Sequence, residues 1–155
     1  MSHEYTYDIS MFRDTFETRF TYLNGFLRNV SRFGSRPALF DPRSGRRWTY
    51  RELNAEANRL AHALRADGVG KNDVVMFTLL NSPEFVFCYL AAHKIGAIAC
   101  PVNYRQGAGE IALVIDDSTP KAFIYDAEFG ELSGGALDLC ESKPAIKIVV
   151  GADDA

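Results

Sequence analysis

Apolar side chains recur along this chain with two different spacings, and the change from one to the other marks out its elements. Phe12, Phe16, Phe20, Leu23, Leu27 and Val30 follow one another at steps of three and four. That spacing predicts an amphipathic helical stripe, with a weak point at Asn24-Gly25 and a face suited to core packing. Two short β-prone runs come next, 37–40 and 47–49, separated by Asp41-Pro42-Arg43-Ser44-Gly45, and read as a hairpin. Thr49 and Glu52 then stand three apart, as a capping box requires, ahead of a helical face made by Tyr50, Leu53, Ala57, Leu60, Ala61 and Leu64. Gly68 and Gly70 suit the end of that helix.

Beyond residue 70 the chain alternates. The near-continuous apolar run 74–80 reads as a strand buried on both faces. Ser82-Pro83-Glu84 supplies an N-cap, a first-turn proline and a first-turn acid, so 83–95 is a predicted helix. Strands over 97–102, 122–125 and 146–150 enclose helices over 110–116 and through Leu132, Ala136, Leu137 and Leu139. Strand–helix alternation with short connections predicts an α/β fold: a mostly parallel sheet with crossover helices, preceded by an N-terminal helix and a short β-hairpin. The expected division is a helical segment 1–34 and an α/β subdomain 35–155. Residues 151–155 read as a loop after a strand with no helix behind it, so the subdomain is expected to be incomplete at its C-terminus and to expose apolar surface that promotes self-association.

Composition narrows the classes. With 47% hydrophobic and 24% charged residues the chain can bury a core, and a net charge of −3 with no basic stripe argues against nucleic acid as partner. No apolar run approaches the roughly 20 residues that span a bilayer. Glu4 and Asp8 stand where a signal peptide carries positive charge. Cys88, Cys100 and Cys140 are odd in number and far apart, which suits a reduced, cytoplasmic protein.

Four stretches carry a resemblance. RPALFD at 36–41, RRWTYRELNAEANRLAHALRADGVGKNDVV at 46–75, LLNSPEFVFCYLAAHKIGAIACPVNYR at 79–105 and EIALVIDDSTPKAFIYD at 110–126 resemble, in order and spacing, the opening region of the adenylate-forming (acyl-CoA synthetase, AMP-binding) enzymes. The form Pro101-Val102-Asn103-Tyr104-Arg105 is similar to that of fatty-acyl-CoA ligases. The resemblance implies a two-step ligase: a carboxylate attacks the α-phosphate of ATP, and CoA then displaces AMP to give a thioester. It implies ATP, magnesium and CoA for a full-length enzyme, and a carboxylic acid substrate. The phosphate loop, the ribose-binding aspartate and the catalytic lysine of such enzymes lie beyond the region that matches. The 155 residues are therefore expected to hold no catalytic residue and no metal, to need no cofactor alone, and to have the remainder of a ligase chain as partner. The alternative is a free-standing, non-catalytic α/β module that binds a nucleotide-bearing ligand or a protein.

One residue stands out for ligand contact. In ligases resembling this one, the arginine of the segment matching Asn103-Tyr104-Arg105 reaches a phosphate of CoA. Arg105 follows a predicted strand and precedes a helix, the edge at which open parallel sheets bind ligands, and its permanent forked charge suits phosphate. Glu110 places an opposing charge nearby. Gly68-Val69-Gly70-Lys71 has the wrong order for a phosphate loop, since it follows a helix and precedes a strand. His93 and Cys88 are five apart, poor spacing for metal ligands on a helix, and His62 has no partner at useful spacing. The phenylalanines of the first helix lack the basic face of a membrane-surface helix.

Overall fold

Thr49 shows how local sequence sets the frame. Its Oγ1 accepts the Glu52 N–H at 3.2 Å while Glu52 Oε2 accepts the Thr49 N–H at 2.8 Å, the reciprocal pair that starts a long helix. The computed structural model describes residues 8–151. The hairpin strands β1 (Pro37–Phe40) and β2 (Arg47–Thr49) pair antiparallel and lead into helix α3 (Tyr50–Ala66). Ahead of them lie α1 (Ile9–Phe12), a π-helical segment Arg13–Arg19 and α2 (Tyr22–Phe33).

The main sheet is wholly parallel, in the order β4-β3-β5-β6. Its strands are β3 (Val74–Thr78), β4 (Ile98–Pro101), β5 (Ala122–Asp126) and β6 (Ile146–Val150). Helices α4 (Pro83–Ile95), α5 (Ala108–Ser118) and α6 (Gly130–Leu139) make the crossovers. β3 is central and buried, so its run carries no polar alternation. Val75 and Phe77 pack with Ala61 and Leu64 of α3 and with Cys88, Ala91 and Ala92 of α4. Met76 points the other way, toward Ile111 and Ile115 of α5 and Ala136 of α6. The result is three layers, with α3 and α4 on one face and α5 and α6 on the other. A third cluster, Phe26, Trp48, Leu53, Ala57 and Leu90, ties α2 and the hairpin to α3 and α4.

The first helix departs from expectation. The break falls at Phe20 and Thr21, not at Asn24-Gly25, because Thr21 N-caps α2 through the Asn24 N–H at 3.2 Å. Gly25 sits within the helix. Phe12, Phe16 and Phe20, expected in the core, stack as a ladder (centroids 4.8 and 5.5 Å apart) that stays 39%, 52% and 62% exposed. The periodicity was real, but among the described residues no layer covers Phe16 and Phe20. Strand β3 is also shorter than 74–80, and α5 begins at Ala108 rather than Glu110.

Four surface carboxylates are tied into turns and loops. Asp41 accepts from Ser44 and Arg43, Glu52 from Thr49, Asp73 from the Gly70 N–H and Lys121, and Asp116 from the Ser142 N–H. Each of these hydrogen bonds favours the ionised form and holds the carboxyl below its ordinary range. Groups depressed on folding contribute stability above the unfolded pKa, and that contribution disappears as pH falls through the folded value. The melting temperature should therefore drop on acidification below about pH 5. A melt series across that range should also show a shallower acid limb in Asp73→Asn; an unchanged limb would remove Asp73 from this account.

Candidate functional site at the carboxyl edge of the sheet

The connection leaving β3 turns to the α4 face, whereas those leaving β4 and β5 turn to the opposite face. The chain thus parts on either side of β3, the place where open parallel sheets bind ligands. The loops there are 79–82, 102–107 and 127–129.

The loop after β4 is rigidly built. The Val102 N–H donates to the Phe77 carbonyl at 2.9 Å, carrying the ladder one residue past the strand. Asn103 Oδ1 accepts the Arg105 N–H at 3.0 Å and the Asn103 carbonyl accepts the Gln106 N–H at 3.1 Å, so the chain turns back on itself. The turn leaves Arg105 exposed, its guanidinium 4.8 Å above the Tyr104 ring. Among the described residues Arg105 makes no ion pair. Tyr104 in turn stacks on Phe129, centroids 4.9 Å apart and planes within 9°. Two loops 25 positions apart are joined by that stack, because β4 and β5 flank β3.

Glu110 is accounted for differently from its sequence reading. Its Oε2 accepts the Gly107 N–H at 2.7 Å, while the Gly107 carbonyl accepts the Glu110 and Ile111 N–H groups. Glycine has no side-chain oxygen, so only the glutamate half of a capping box exists, and the acid serves the start of α5. That engagement takes the Glu110 carboxylate into the helix terminus instead of leaving it free for Arg105.

The other sequence candidates have structural roles. Gly68 stands at φ +89°, and the Gly68 and Val69 N–H groups close α3 on the Arg65 and Leu64 carbonyls. The His93 Nδ1 lies 2.7 Å from the Tyr89 carbonyl, which can only accept, so the ring donates there and stacks on Tyr89. Among the described residues no group of His, Cys, Asp and Glu side chains could hold a metal ion. The Cys88 thiol is buried, and that burial, with Glu84 adding to it, pushes its pKa up to about 12, which makes it a poor nucleophile. Missed from sequence were Phe129, which lies just past a predicted strand, and two buried hydroxyls without partners, Thr78 Oγ1 and Ser133 Oγ.

The family model for AMP-binding enzymes matches residues 26–155. This chain belongs to the AMP-binding enzyme family. It is 43% identical over 107 residues to a 3-hydroxybenzoate–CoA/4-hydroxybenzoate–CoA ligase of Thauera aromatica, covering 69% of this chain and 20% of that one. It is 41% identical over 116 residues to the long-chain-fatty-acid–CoA ligase FadD13 of Mycobacterium tuberculosis, covering 75% and 23%. The crystal structure of the N-terminal domain of FACL13 from Mycobacterium tuberculosis superposes with a TM-score of 0.75 at 31% identity, over 81% of this chain and 32% of that one. The chain spans about a fifth of the length of these curated relatives. Family members among them are acyl-CoA ligases, and the shared region is N-terminal. Among the described residues no helix is long and apolar enough to cross a membrane.

Proposed function

We propose that these residues form the opening subdomain of an ATP-dependent acyl-CoA ligase, in which they act as scaffold and supply one contact to CoA through Arg105. The observation that carries this reading is the exposed, unpaired guanidinium of Arg105, fixed by the Asn103 turn at the carboxyl edge of the sheet in a chain of this family. A phosphate suits that position. The charge is permanent, the donors form a fork, and the Tyr104–Phe129 stack holds the loop from which they project.

In the ligase reaction ATP and magnesium serve the first step and CoA is the acceptor in the second. The residues present here would orient the CoA end of that second step. On this reading carboxylate activation falls to segments outside the region that matches, so the 155-residue chain should form no acyl-adenylate from ATP and a carboxylic acid.

Two measurements test the reading. An NMR titration of the chain with CoA should move the resonances of Tyr104, Arg105 and Phe129. Arg105→Ala should weaken binding by about tenfold or more, the usual loss for a charge-assisted hydrogen bond. Unchanged affinity in that variant would leave Arg105 as a loop residue. Adenylate formation by the chain alone would refute the division of labour.

A further inference from the structure

An exposed arginine samples many rotamers and gives them up when it grips a ligand. Among the described residues the Arg105 guanidinium makes no ion pair, and it lies over the Tyr104 ring, 4.8 Å from its centre. Such a contact orients a cation only as well as the ring beneath it is oriented. What orients the Tyr104 ring is therefore the question that decides how well Arg105 is aimed.

The answer lies on the other side of β3. Phe129 meets Tyr104 nearly coplanar, centroids 4.9 Å apart and planes within 9°, and both rings are half-buried. Phe129 is itself fixed by its own element. Asp126 Oδ1 accepts the Glu128 N–H at 3.0 Å and caps the short 3-10 turn Ala127–Phe129, whose Ala127 carbonyl accepts the Gly130 N–H as α6 begins. Helix α6 in turn lies against the start of α5, where a Cβ added to Gly135 would stand 3.4 Å from the Ala108 Cβ. The β5–α6 connection thus brings a fixed flat face to a ring on the β4–α5 connection.

We propose that Phe129 is a positioning residue for CoA: it holds the plane of Tyr104, and through that plane the forked donors of Arg105. Resting on the Arg105–CoA contact proposed above, this adds a residue that acts through two others. Arg105 parked on a fixed ring has lost part of its rotamer freedom before the phosphate arrives, so less is lost on binding. The role needs a flat side chain at 129. Leucine fills similar space but offers no face, whereas tyrosine keeps one.

Two readouts on the 155-residue chain test this. Nitrogen relaxation at Arg105 Nε, without CoA, should show an ordered side chain that becomes mobile in Phe129→Leu and stays ordered in Phe129→Tyr. CoA titration should show Phe129→Leu weakening binding by about threefold, the scale of an exposed cation–π contact. Phe129→Tyr should bind as the parent does, and Tyr104→Leu, which removes the same plane from the other loop, should reproduce Phe129→Leu. In an Arg105→Ala background Phe129→Leu should cost nothing more, whereas a merely structural role would cost the same factor with or without Arg105. No CoA binding, or binding indifferent to Arg105→Ala, overturns the Arg105 contact and this role with it. An Arg105→Ala loss combined with unchanged Arg105 order in Phe129→Leu and Tyr104→Leu, or with equal Phe129→Leu losses in both backgrounds, overturns the positioning role alone.

Discussion

Replacing Phe77 by alanine should cost about 3–5 kcal/mol of folding stability, the range for truncating a buried aromatic. Phe77 is wholly buried at the centre of β3 and meets Phe85 and Tyr89 edge-on, with centroids 5.1 and 5.5 Å away. The cluster around it draws on α3, α4 and β5 as well as β3, so no single shift closes the space it leaves. Against a total stability of about 5–15 kcal/mol, such a loss brings a domain of this size close to unfolding. Urea titration followed by circular dichroism reads the change directly. Phe40→Ala, at a site 51% exposed, is the matched control and should fall within about 1 kcal/mol of the parent. A Phe77→Ala loss no larger than the control's would mean the face beneath α4 is not close-packed.

The opposite sign is expected one residue later. Thr78 is also wholly buried, on the side of β3 that faces α5 and α6, and its Oγ1 has no hydrogen-bond partner. A buried hydroxyl that has given up water without a replacement costs about 1–3 kcal/mol. Thr78→Val keeps the β-branch and nearly the same shape while removing the hydroxyl. It should raise the urea midpoint with no change in slope, a gain of about 1–3 kcal/mol. Ser133→Ala, at a second wholly buried hydroxyl without a partner, should add to it. A destabilised Thr78→Val would show that the hydroxyl is satisfied in solution, for example by a buried water. Thr78 is the last residue of β3, at the edge of the sheet that carries the candidate site, so the test also shows whether stability has been given up there.

How far the sequence announced all this depends on the range of the interactions involved. Thr49 with Glu52, and Pro83 with Glu84, act over one helical turn, and both helices start where those residues indicate, although the Ser82 side chain makes no capping hydrogen bond. The parallel sheet was legible because β3 is apolar from Val74 to Phe77, with no polar alternation, as burial on both faces requires. The Phe12–Phe16–Phe20 ladder misled for the complementary reason: periodicity reports a face but not whether anything covers it. Arg105 could be placed after a strand from sequence, yet its neighbour Phe129 could not be paired with Tyr104. That contact depends on β3 standing between β4 and β5, a fact of strand order that no local pattern encodes. Glu110 was read as a charge beside the site, and its engagement with the Gly107 N–H became visible only with the start of α5 in place.

Pro101 bears on how the sheet is assembled, because the Ile98 and Val102 N–H groups turn inward, to Asp73 and Phe77, and leave Pro101, which has no N–H, on the outer side of β4. As the polypeptide leaves the ribosome, β3 and β4 emerge first, and the outer side of β4 already lacks a donor. Among the described residues the later strands join on the other flank, β5 against β3 and then β6 against β5. For these four strands the sheet therefore grows at one front, on the side away from Pro101.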